Sequence, residues 1–428
     1  MSTTSPSATR RELLAGAAAA GAIGMLSATA QGATGSDAIR PFTLNFPQED
    51  IDELRRRVAA TRWPERETVI DATQGVQLAT MQKLTKYWAT DYDWSRCAAQ
   101  LNALPHFLTE IEGLDIHFIH VRSKHENALP LIVTHGWPGS IIEQLKIIAP
   151  LTDPTSHGGN ASDAFHLVIP SMPGYGFSGK PSTPGWDAHR IARAWPVLMK
   201  RLGYEKFVAQ GGDWGAIIVD LMGVDAPPGL LGIHTNMAGS IPPDIDKAAF
   251  AGAPPPADLS AEEKEAYDRI AFFYKHGLGY ALEMGNRPQT LYGIADSPVG
   301  LAAWILDHDI WSYELIARVF DGQSEGLTRD DILDNITFYW LTNTGVSSAR
   351  LYWETKLAFF GPKGVVVPTV VSVFPDEISP APRSWVEKAY PKLMYYQRHP
   401  KGCHFAAWEQ PQAIVDDLRE GFRSLRAI

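Results

Sequence analysis

Cysteine is nearly absent: the 428-residue chain carries only Cys97 and Cys403. Two cysteines so placed exclude a disulfide framework and a thiolate-based metal site. Two free, inert thiols are expected, although sequence alone leaves a Cys97–Cys403 pair open. Basic residues are outnumbered, 38 Lys and Arg against 48 Asp and Glu, for a net charge of −10. That balance argues against a nucleic-acid partner, because such binding neutralises phosphates with Lys and Arg. No fixed-period repeat, heptad run or long charge block is present, which excludes solenoids and coiled coils. What remains is ordinary globular composition, 45% hydrophobic and 20% charged. It suffices for one large domain with an insertion, or for two domains. Aromatics are plentiful by contrast: the 13 Trp offer large apolar walls that suit a deep pocket as well as core packing.

The first 30 residues differ from the rest. Arg10 and Arg11 form a twin-Arg pair, and the apolar stretch from Leu13 to Leu26 follows. That stretch is too short and too rich in Ala and Gly to span a bilayer comfortably. Ala28-Thr29-Ala30 then supplies a small-residue cleavage pattern. The order resembles a twin-arginine signal peptide, which exports folded proteins to the periplasm or beyond. Cleavage after Ala30 removes two Arg and one Glu, taking the net charge from −10 to −11. An uncleaved segment would act as an anchor; a cleaved one leaves no stable membrane span. The alternative is a cytoplasmic protein with an Ala-rich tail.

Residues 40–112 read as a helical N-terminal extension. Pro47 opens a helix with Glu49 and Asp50 in its first turn and the apolar stripe Ile51, Leu54, Val58. The stretch 80–89 reads as a second helix. From residue 113 to 238 strands and helices alternate: LDIHFIHV (114–121), LPLIVTHG (129–136), AFHLVIPSM (164–172), a helix over 189–203, KFVAQ, a helix, then GLLGIHTNM (229–237). Continuous apolar strands separated by helices imply an α/β fold with a mostly parallel, doubly wound sheet. The alternation stops at 239–362, a Pro-rich and then helical stretch, and resumes at 363–428 with strands in 364–374 and 392–398. An insertion inside a sheet-based domain commonly forms a lid over the site. The chain closes with an amphipathic helix carrying Ile414, Val415, Leu418, Phe422 and Leu425.

Chemistry concentrates at Gly211-Gly212-Asp213-Trp214-Gly215, between an apolar strand and a helical run. Small residues at a strand-to-helix turn are the setting of the nucleophile elbow, where a serine is usual and Asp213 stands here. The bland reading is a tight turn with a solvated carboxylate. His135-Gly136-Trp137-Pro138-Gly139-Ser140 ends a buried strand and can present backbone N–H groups to a developing oxyanion; Trp214 would supply another. Pro138 suggests a cis bond after Trp137, with a plain turn proline as the alternative. His404 precedes the last helix, and the order Asp213, acid, His404 is that of hydrolases. VSVFPDEIS offers Asp376 and Glu377 as that acid. His117 and His120 fall in a strand with no third ligand pattern and read as structural. TGVSS (344–348) lacks the glycine spacing of a serine elbow, so an esterase is disfavoured.

From about residue 40 onward the chain resembles the epoxide hydrolases of the microsomal, α/β-hydrolase type. The resemblance rests on PFTLNFP, DELRRRVAATRWP, HGWPGS, PGYGFS, GGDWG, DSPVGLAAWILD and GCHFAAWEQP, in that order. It implies an α/β-hydrolase fold with a helical lid, an Asp213 nucleophile and a His404 base. The family's acid position favours Glu377 over Asp376. Tyr352 in SSARLYWE matches one lid tyrosine and Tyr280 the other; Tyr274 and Tyr292 compete with Tyr280, and Tyr339 with Tyr352. An epoxide offers no carbonyl, only a strained saturated carbon. A carboxylate, charged at pH 7, can displace there directly. The resulting ester has a carbonyl, which water activated by His404 can attack while the N–H groups of Trp137 and Trp214 hold the oxyanion. Tyrosines suit protonation of the epoxide oxygen because a phenol stays protonated at neutral pH. The implied partner is a small apolar epoxide, with no metal or cofactor required and a homo-oligomer left open. A haloalkane dehalogenase would use the same attack with halide-binding donors in place of phenols. A silent binding protein of this fold would be expected to lack the nucleophile or the histidine. The export reading is tested by fusing residues 1–35 to a folded reporter: the fusion is exported, and Arg10→Lys with Arg11→Lys stops it. Export that survives the double change contradicts the twin-arginine reading.

Overall fold

The computed structural model describes residues 37–323 and 326–427; the expected signal, residues 1–30, lies outside them. From its start the chain builds β1 (Arg40–Phe42), α1 (Gln48–Ala59), α2 (Leu78–Thr90), α3 (Trp94–Asn102), β2 (His106–Ile111) and β3 (Leu114–Val121). Then come β4 (Leu129–Thr134), α4 (Leu145–Thr152), β5 (Phe165–Pro170), α5 (Ala188–Arg201), β6 (Phe207–Gly211), α6 (Trp214–Asp225) and β7 (Leu230–Thr235). Eight helices follow without a strand: α7 (Pro243–Phe250), α8 (Ala261–His276), α9 (Gly279–Asn286), α10 (Tyr292–Asp296), α11 (Pro298–Leu306), α12 (Ile310–Phe320), α13 (Arg329–Leu341) and α14 (Gly345–Glu354). The sheet resumes with β8 (Thr369–Val373), α15 (Arg383–Ala389) and β9 (Leu393–Arg398), and α16 (Ala406–Glu409) and α17 (Pro411–Gly421) end the chain.

Among the described residues nine strands form one sheet, in the order β1-β2-β3-β5-β4-β6-β7-β8-β9. From β5 through β9 all neighbours are parallel; β1, β2 and β3 join β5 antiparallel. Leu131, Ile132 and Val133 of β4, and Val208 and Ala209 of β6, are wholly buried. Helices cover both faces of the parallel part, so its strands read as unbroken apolar runs rather than alternating ones. This is the α/β-hydrolase arrangement expected from the sequence, with α7–α14 inserted between β7 and β8.

Two boundaries differ from the sequence reading. Strands β1 and β2 lie within 40–112, so the N-terminal segment is not purely helical and shares the sheet with the core. The hairpin that joins β2 to β3 turns on Glu112 and Gly113, at φ 50° and 81°. Two consecutive positive-φ residues make the tight turn that matches strand twist, and the short HFLTEI run before it carried too little alternation to read as a strand. Strand β8 occupies only Thr369–Val373 of the apolar stretch 364–374.

The histidines read as structural are bonded inside the core. His117 Nδ1 lies 3.0 Å from Ser171 Oγ and its Nε2 lies 2.9 Å from His106 Nδ1. His120 Nε2 lies 2.8 Å from the Tyr204 hydroxyl. Cys97 and Cys403 are both buried and unpaired. The N-terminal helices brace the inserted ones: Trp88 Nε1 donates to Thr337 Oγ1 at 3.0 Å, and the Tyr92 hydroxyl donates to Asp334 at 2.8 Å. Arg96 reaches the same buried Asp334 carboxylate at 2.6 Å. A buried carboxylate left without such partners is costly, so α13 is fixed firmly against α2 and α3. Among the described residues, no helix is long and apolar enough to cross a membrane.

Candidate active site

Strand β6 ends at Gly211 and α6 begins at Trp214, so Gly212 and Asp213 alone make the turn between them. Asp213 sits at φ 51°, ψ −124°, a region that costs a side-chain-bearing residue about 1–3 kcal/mol. The glycines make this turn sterically possible. A Cβ on Gly211 would lie 2.1 Å from the Gly215 carbonyl oxygen, and one on Gly215 would lie 2.0 Å from that of Thr134. Strand and helix therefore close on each other, and the Asp213 side chain is driven out beyond the carboxyl end of the sheet. There it is buried, 3% exposed, so the solvated-turn reading fails.

The loop after β4 meets this side chain first. The Trp137 N–H donates to Asp213 Oδ1 at 2.7 Å, and the Trp137–Pro138 bond is cis. A Cβ on Gly136 would lie 2.3 Å from the Asp213 Cβ, so glycine is required where loop and elbow touch. Lid helix α13 pins the loop from above. Asn335 Nδ2 donates to the Pro138 carbonyl at 2.8 Å, Ser140 Oγ donates to Asn335 Oδ1 at 2.7 Å, and the Tyr339 hydroxyl donates to the Gly139 carbonyl at 2.8 Å. Trp214 opens α6, so its N–H belongs to the first turn, whose donors have no carbonyl partner within the helix.

From the opposite side come the acid and the histidine. His404 lies in the loop between β9 and α16, with Nε2 3.4 Å from Asp213 Oδ2 and Nδ1 2.6 Å from Glu377 Oε1. The Ile378 N–H holds the same Glu377 oxygen at 2.8 Å. Asn236 Nδ2 donates to the His404 carbonyl at 3.3 Å, which ties the loop to the end of β7. Asp376 points elsewhere: it pairs with Arg269 at 3.2 Å and its side chain is 45% exposed.

Two tyrosines from the lid complete an aromatic wall. Tyr280 of α9 stacks on Trp137, with centroids 4.9 Å apart and planes 15° apart. Tyr352 of α14 meets Trp214 edge-on at 4.8 Å, Trp137 at 5.8 Å and Tyr280 at 5.9 Å. Of the competing tyrosines, Tyr274 hydrogen-bonds Asp246 of α7, Tyr292 is 69% exposed, and Tyr339 is committed to the Gly139 carbonyl. The structure thus brings Asp213, His404, Glu377, Tyr280, Tyr352, Trp137 and Trp214 together and leaves Asp376, Tyr274 and Tyr292 outside.

One residue of the cluster was not singled out in the sequence. His308, between α11 and α12, places Nε2 3.8 Å from Asp213 Oδ2 and packs against His404 with centroids 4.7 Å apart and planes tilted by 40°. Its Nδ1 lies 2.9 Å from Asp309 Oδ2, and Asp309 is itself fixed as the N-cap of α12 through Oδ1 and the Ser312 N–H, 2.8 Å. The run Asp307-His308-Asp309 was the available signal, but a histidine between two acids in a lid loop reads as surface until the lid is folded over the elbow.

The electrostatics follow from burial and neighbours. Burial alone would raise Asp213, but His308 and His404 hold its carboxyl below the usual range and keep it ionised. Burial would lower His404, but the charge of Glu377 and the contacts with Asp213 hold it well above its ordinary value. Burial pushes the phenols of Tyr280 and Tyr352 up well above 10, and the Asp213 charge adds to this, so both stay protonated. Glu143, beneath the Trp137 loop, is pushed up to about 8 by burial and then by Asp213, so it adds little negative charge at pH 7.

Comparison with known proteins gives a consistent picture. The family model described as epoxide hydrolase N terminus matches residues 39–144, and that of the alpha/beta hydrolase fold matches 130–269. A Stigmatella aurantiaca protein whose name proposes an epoxide hydrolase is 50% identical over 91% of this chain and 86% of its own. Epoxide hydrolase 1 of Oryctolagus cuniculus is 36% identical over 89% of this chain and 88% of its own. The crystal structure of the juvenile hormone epoxide hydrolase from Bombyx mori superposes with a TM-score of 0.80 at 31% identity, covering 91% of this chain and 95% of that one.

The choice of acid is open to a direct test by histidine NMR titration. Glu377→Gln removes the charge that holds His404 up, so the His404 pKa falls clearly; Asp376→Asn leaves it in place. The reverse ranking would transfer the role to Asp376.

Proposed function

The chain belongs to the epoxide hydrolases built on the α/β-hydrolase fold with an epoxide-hydrolase N-terminal segment, and from that premise we propose that it converts an apolar epoxide and water to a vicinal diol through an ester on Asp213. One observation carries this reading: a buried carboxylate at a strained elbow, one oxygen on the Trp137 N–H and the other facing His404 Nε2. An ionised carboxylate needs no base to become a nucleophile, and burial strips it of the water that would blunt it.

The proton inventory of the site supports the sequence of steps. In the resting state Asp213 is an anion and His404 an imidazolium, the arrangement their opposite displacements favour. Asp213 Oδ2 attacks an epoxide carbon, the C–O bond breaks, and the oxygen takes a proton from Tyr280 or Tyr352. Esterification removes the Asp213 charge, so His404 loses an anionic neighbour and releases its proton to restore the phenol. Neutral His404, oriented by Glu377, then takes a proton from water as that water attacks the Asp213 carbonyl carbon. The oxyanion forms at the carbonyl oxygen, beside the N–H groups of Trp137 and Trp214. On collapse the diol oxygen leaves with the proton that the added hydroxyl carried, which returns Asp213 to a carboxylate beside the His404 imidazolium, so the protons balance over one turnover.

The aromatic wall of Trp137, Trp214, Tyr280 and Tyr352 supports an apolar substrate, and paired phenols favour an epoxide oxygen over a halide as the group stabilised. Residues 1–30 are proposed to direct export, and the inserted helices α7–α14 to act as the lid.

The test is a panel of styrene-type, terpene and fatty-acid epoxides assayed for diol. At least one is converted. Tyr280→Phe and Tyr352→Phe each leave partial activity because the other phenol still donates; the double variant loses at least about 10²–10³ in rate. Near-normal turnover by the double variant would take the donor role from this pair. Halide release from a haloalkane with no diol from any epoxide would overturn the activity itself.

A further inference from the structure

Three side chains from three separate segments aim one donor atom each at a common point. They are Asp213 from the elbow, His404 from the loop after β9, and His308 from the turn between α11 and α12; one ligand atom of each lies within 4.8 Å of the others, and the Asp213 oxygen facing both Nε2 atoms is Oδ2. Each of the three residues is at most 3% exposed. Apart from that Asp213 oxygen, 3.4 Å from His404 and 3.8 Å from His308, neither Nε2 has a partner among the described residues, although both are buried. Two buried ring nitrogens that share one carboxylate oxygen at such lengths are incompletely satisfied, which leaves the point between them open to a ligand.

The opposite edge of each ring is held in the same way. His404 Nδ1 lies 2.6 Å from Glu377 Oε1, and His308 Nδ1 lies 2.9 Å from Asp309 Oδ2. A carboxylate on Nδ1 keeps a proton there, so that an ion which displaces the Nε2 proton meets a lone pair, the arrangement that orients metal-bound histidines and raises their basicity. The spacing fits as well. Ligand atoms 2.0–2.1 Å from a tetrahedral zinc ion stand about 3.3 Å apart, and here the two histidine–aspartate distances are 3.4 and 3.8 Å. On those two edges a contraction of a few tenths of an ångström suffices, and the third, between the histidines, closes from at most 4.8 Å. Two imidazoles and a carboxylate suit zinc and its neighbours in the first transition row, and three protein ligands leave the fourth position open. Charge favours a cation too, since Asp213, Glu377 and Asp309 surround the two rings.

We propose that Asp213, His308 and His404 form a binding site for a zinc-class divalent ion, and that the loaded protein is closed to substrate. The ion would occupy the lone pairs of the Asp213 oxygen that faces the histidines and of His404 Nε2. It would also join the lid to the core, because His308 lies on the inserted segment and the other two ligands do not. The site stands on its geometry and does not require that the protein hydrolyse epoxides.

Binding is measured on the full chain, stripped of metal, without substrate. Zn²⁺ is titrated against a chromogenic chelator, and Co²⁺ is followed by its visible d–d absorption. The wild type takes up one equivalent with a tetrahedral cobalt spectrum and melts at a higher temperature with zinc. His308→Gln and, separately, Asp213→Asn lose that spectrum and the zinc-dependent rise in melting temperature; two variants are used because either could fold poorly. Asp309→Asn, which keeps all three ligands, weakens binding by about 10–100-fold. Absence of stoichiometric binding to the wild type, or equal affinity in a folded His308→Gln or Asp213→Asn variant, would overturn the proposal whatever the epoxide assay returns.

Discussion

The structure is organised around one costly group, the ionised carboxylate of Asp213 buried at the elbow. Removing such a charge from water costs several kcal/mol, and the positive φ of its backbone adds about 1–3 kcal/mol more. Both costs are offset locally. The Trp137 N–H takes one carboxylate oxygen, two histidines face the other, and the strand–helix pair that strains the backbone is among the most fully buried parts of the core. Neutralising Asp213 removes part of the reason for the protonation of both His404 and His308, against which their burial works. Chemistry at Asp213 is therefore coupled to proton movement at His404 without any moving part.

The rest of the molecule holds this arrangement in register. Loop 135–140 is not left to its own conformational preferences: Asn335 and Tyr339 of α13 hold its Pro138 and Gly139 carbonyls, and its Ser140 hydroxyl donates to Asn335. Helix α13 in turn is tied through Asp334 and Thr337 to Tyr92, Arg96 and Trp88 of the N-terminal helices. The N-terminal segment thus reaches the site through two layers of hydrogen bonds. This gives the segment a physical role beyond adding strands β1 and β2 to the sheet edge.

What could be read from the sequence was what depends on local structure. The elbow was legible because strand, glycines and helix are contiguous, and His404 because chain order places it after the last strand. Glu377 and Asp376 are adjacent, so only a resemblance could choose between them; the difference lies in which side chain turns inward, towards His404 or towards Arg269. The tyrosines show the limit more sharply. Tyr339 and Tyr352 both sit on lid helices with apolar neighbours, yet one holds a backbone carbonyl and the other faces Trp214. His308 was not legible at all, because its relation to Asp213 exists only once the insertion folds back across the sheet. The β2–β3 hairpin had its own signal in Glu112-Gly113, which a run of only six residues before it did not make conspicuous.

Whether Asp213 forms a bond to substrate is decided most directly by a single turnover with enzyme in excess in ¹⁸O-labelled water. If the carboxylate attacks carbon, the first diol takes its new oxygen from Asp213 and is mostly unlabelled, while a peptide containing Asp213 gains the label. With His404→Gln the second half stalls, and an enzyme-plus-epoxide mass accumulates on that peptide. A diol labelled in the first turnover, with no label in the peptide and no adduct in the variant, would mean that Asp213 only activates water, and would contradict the account.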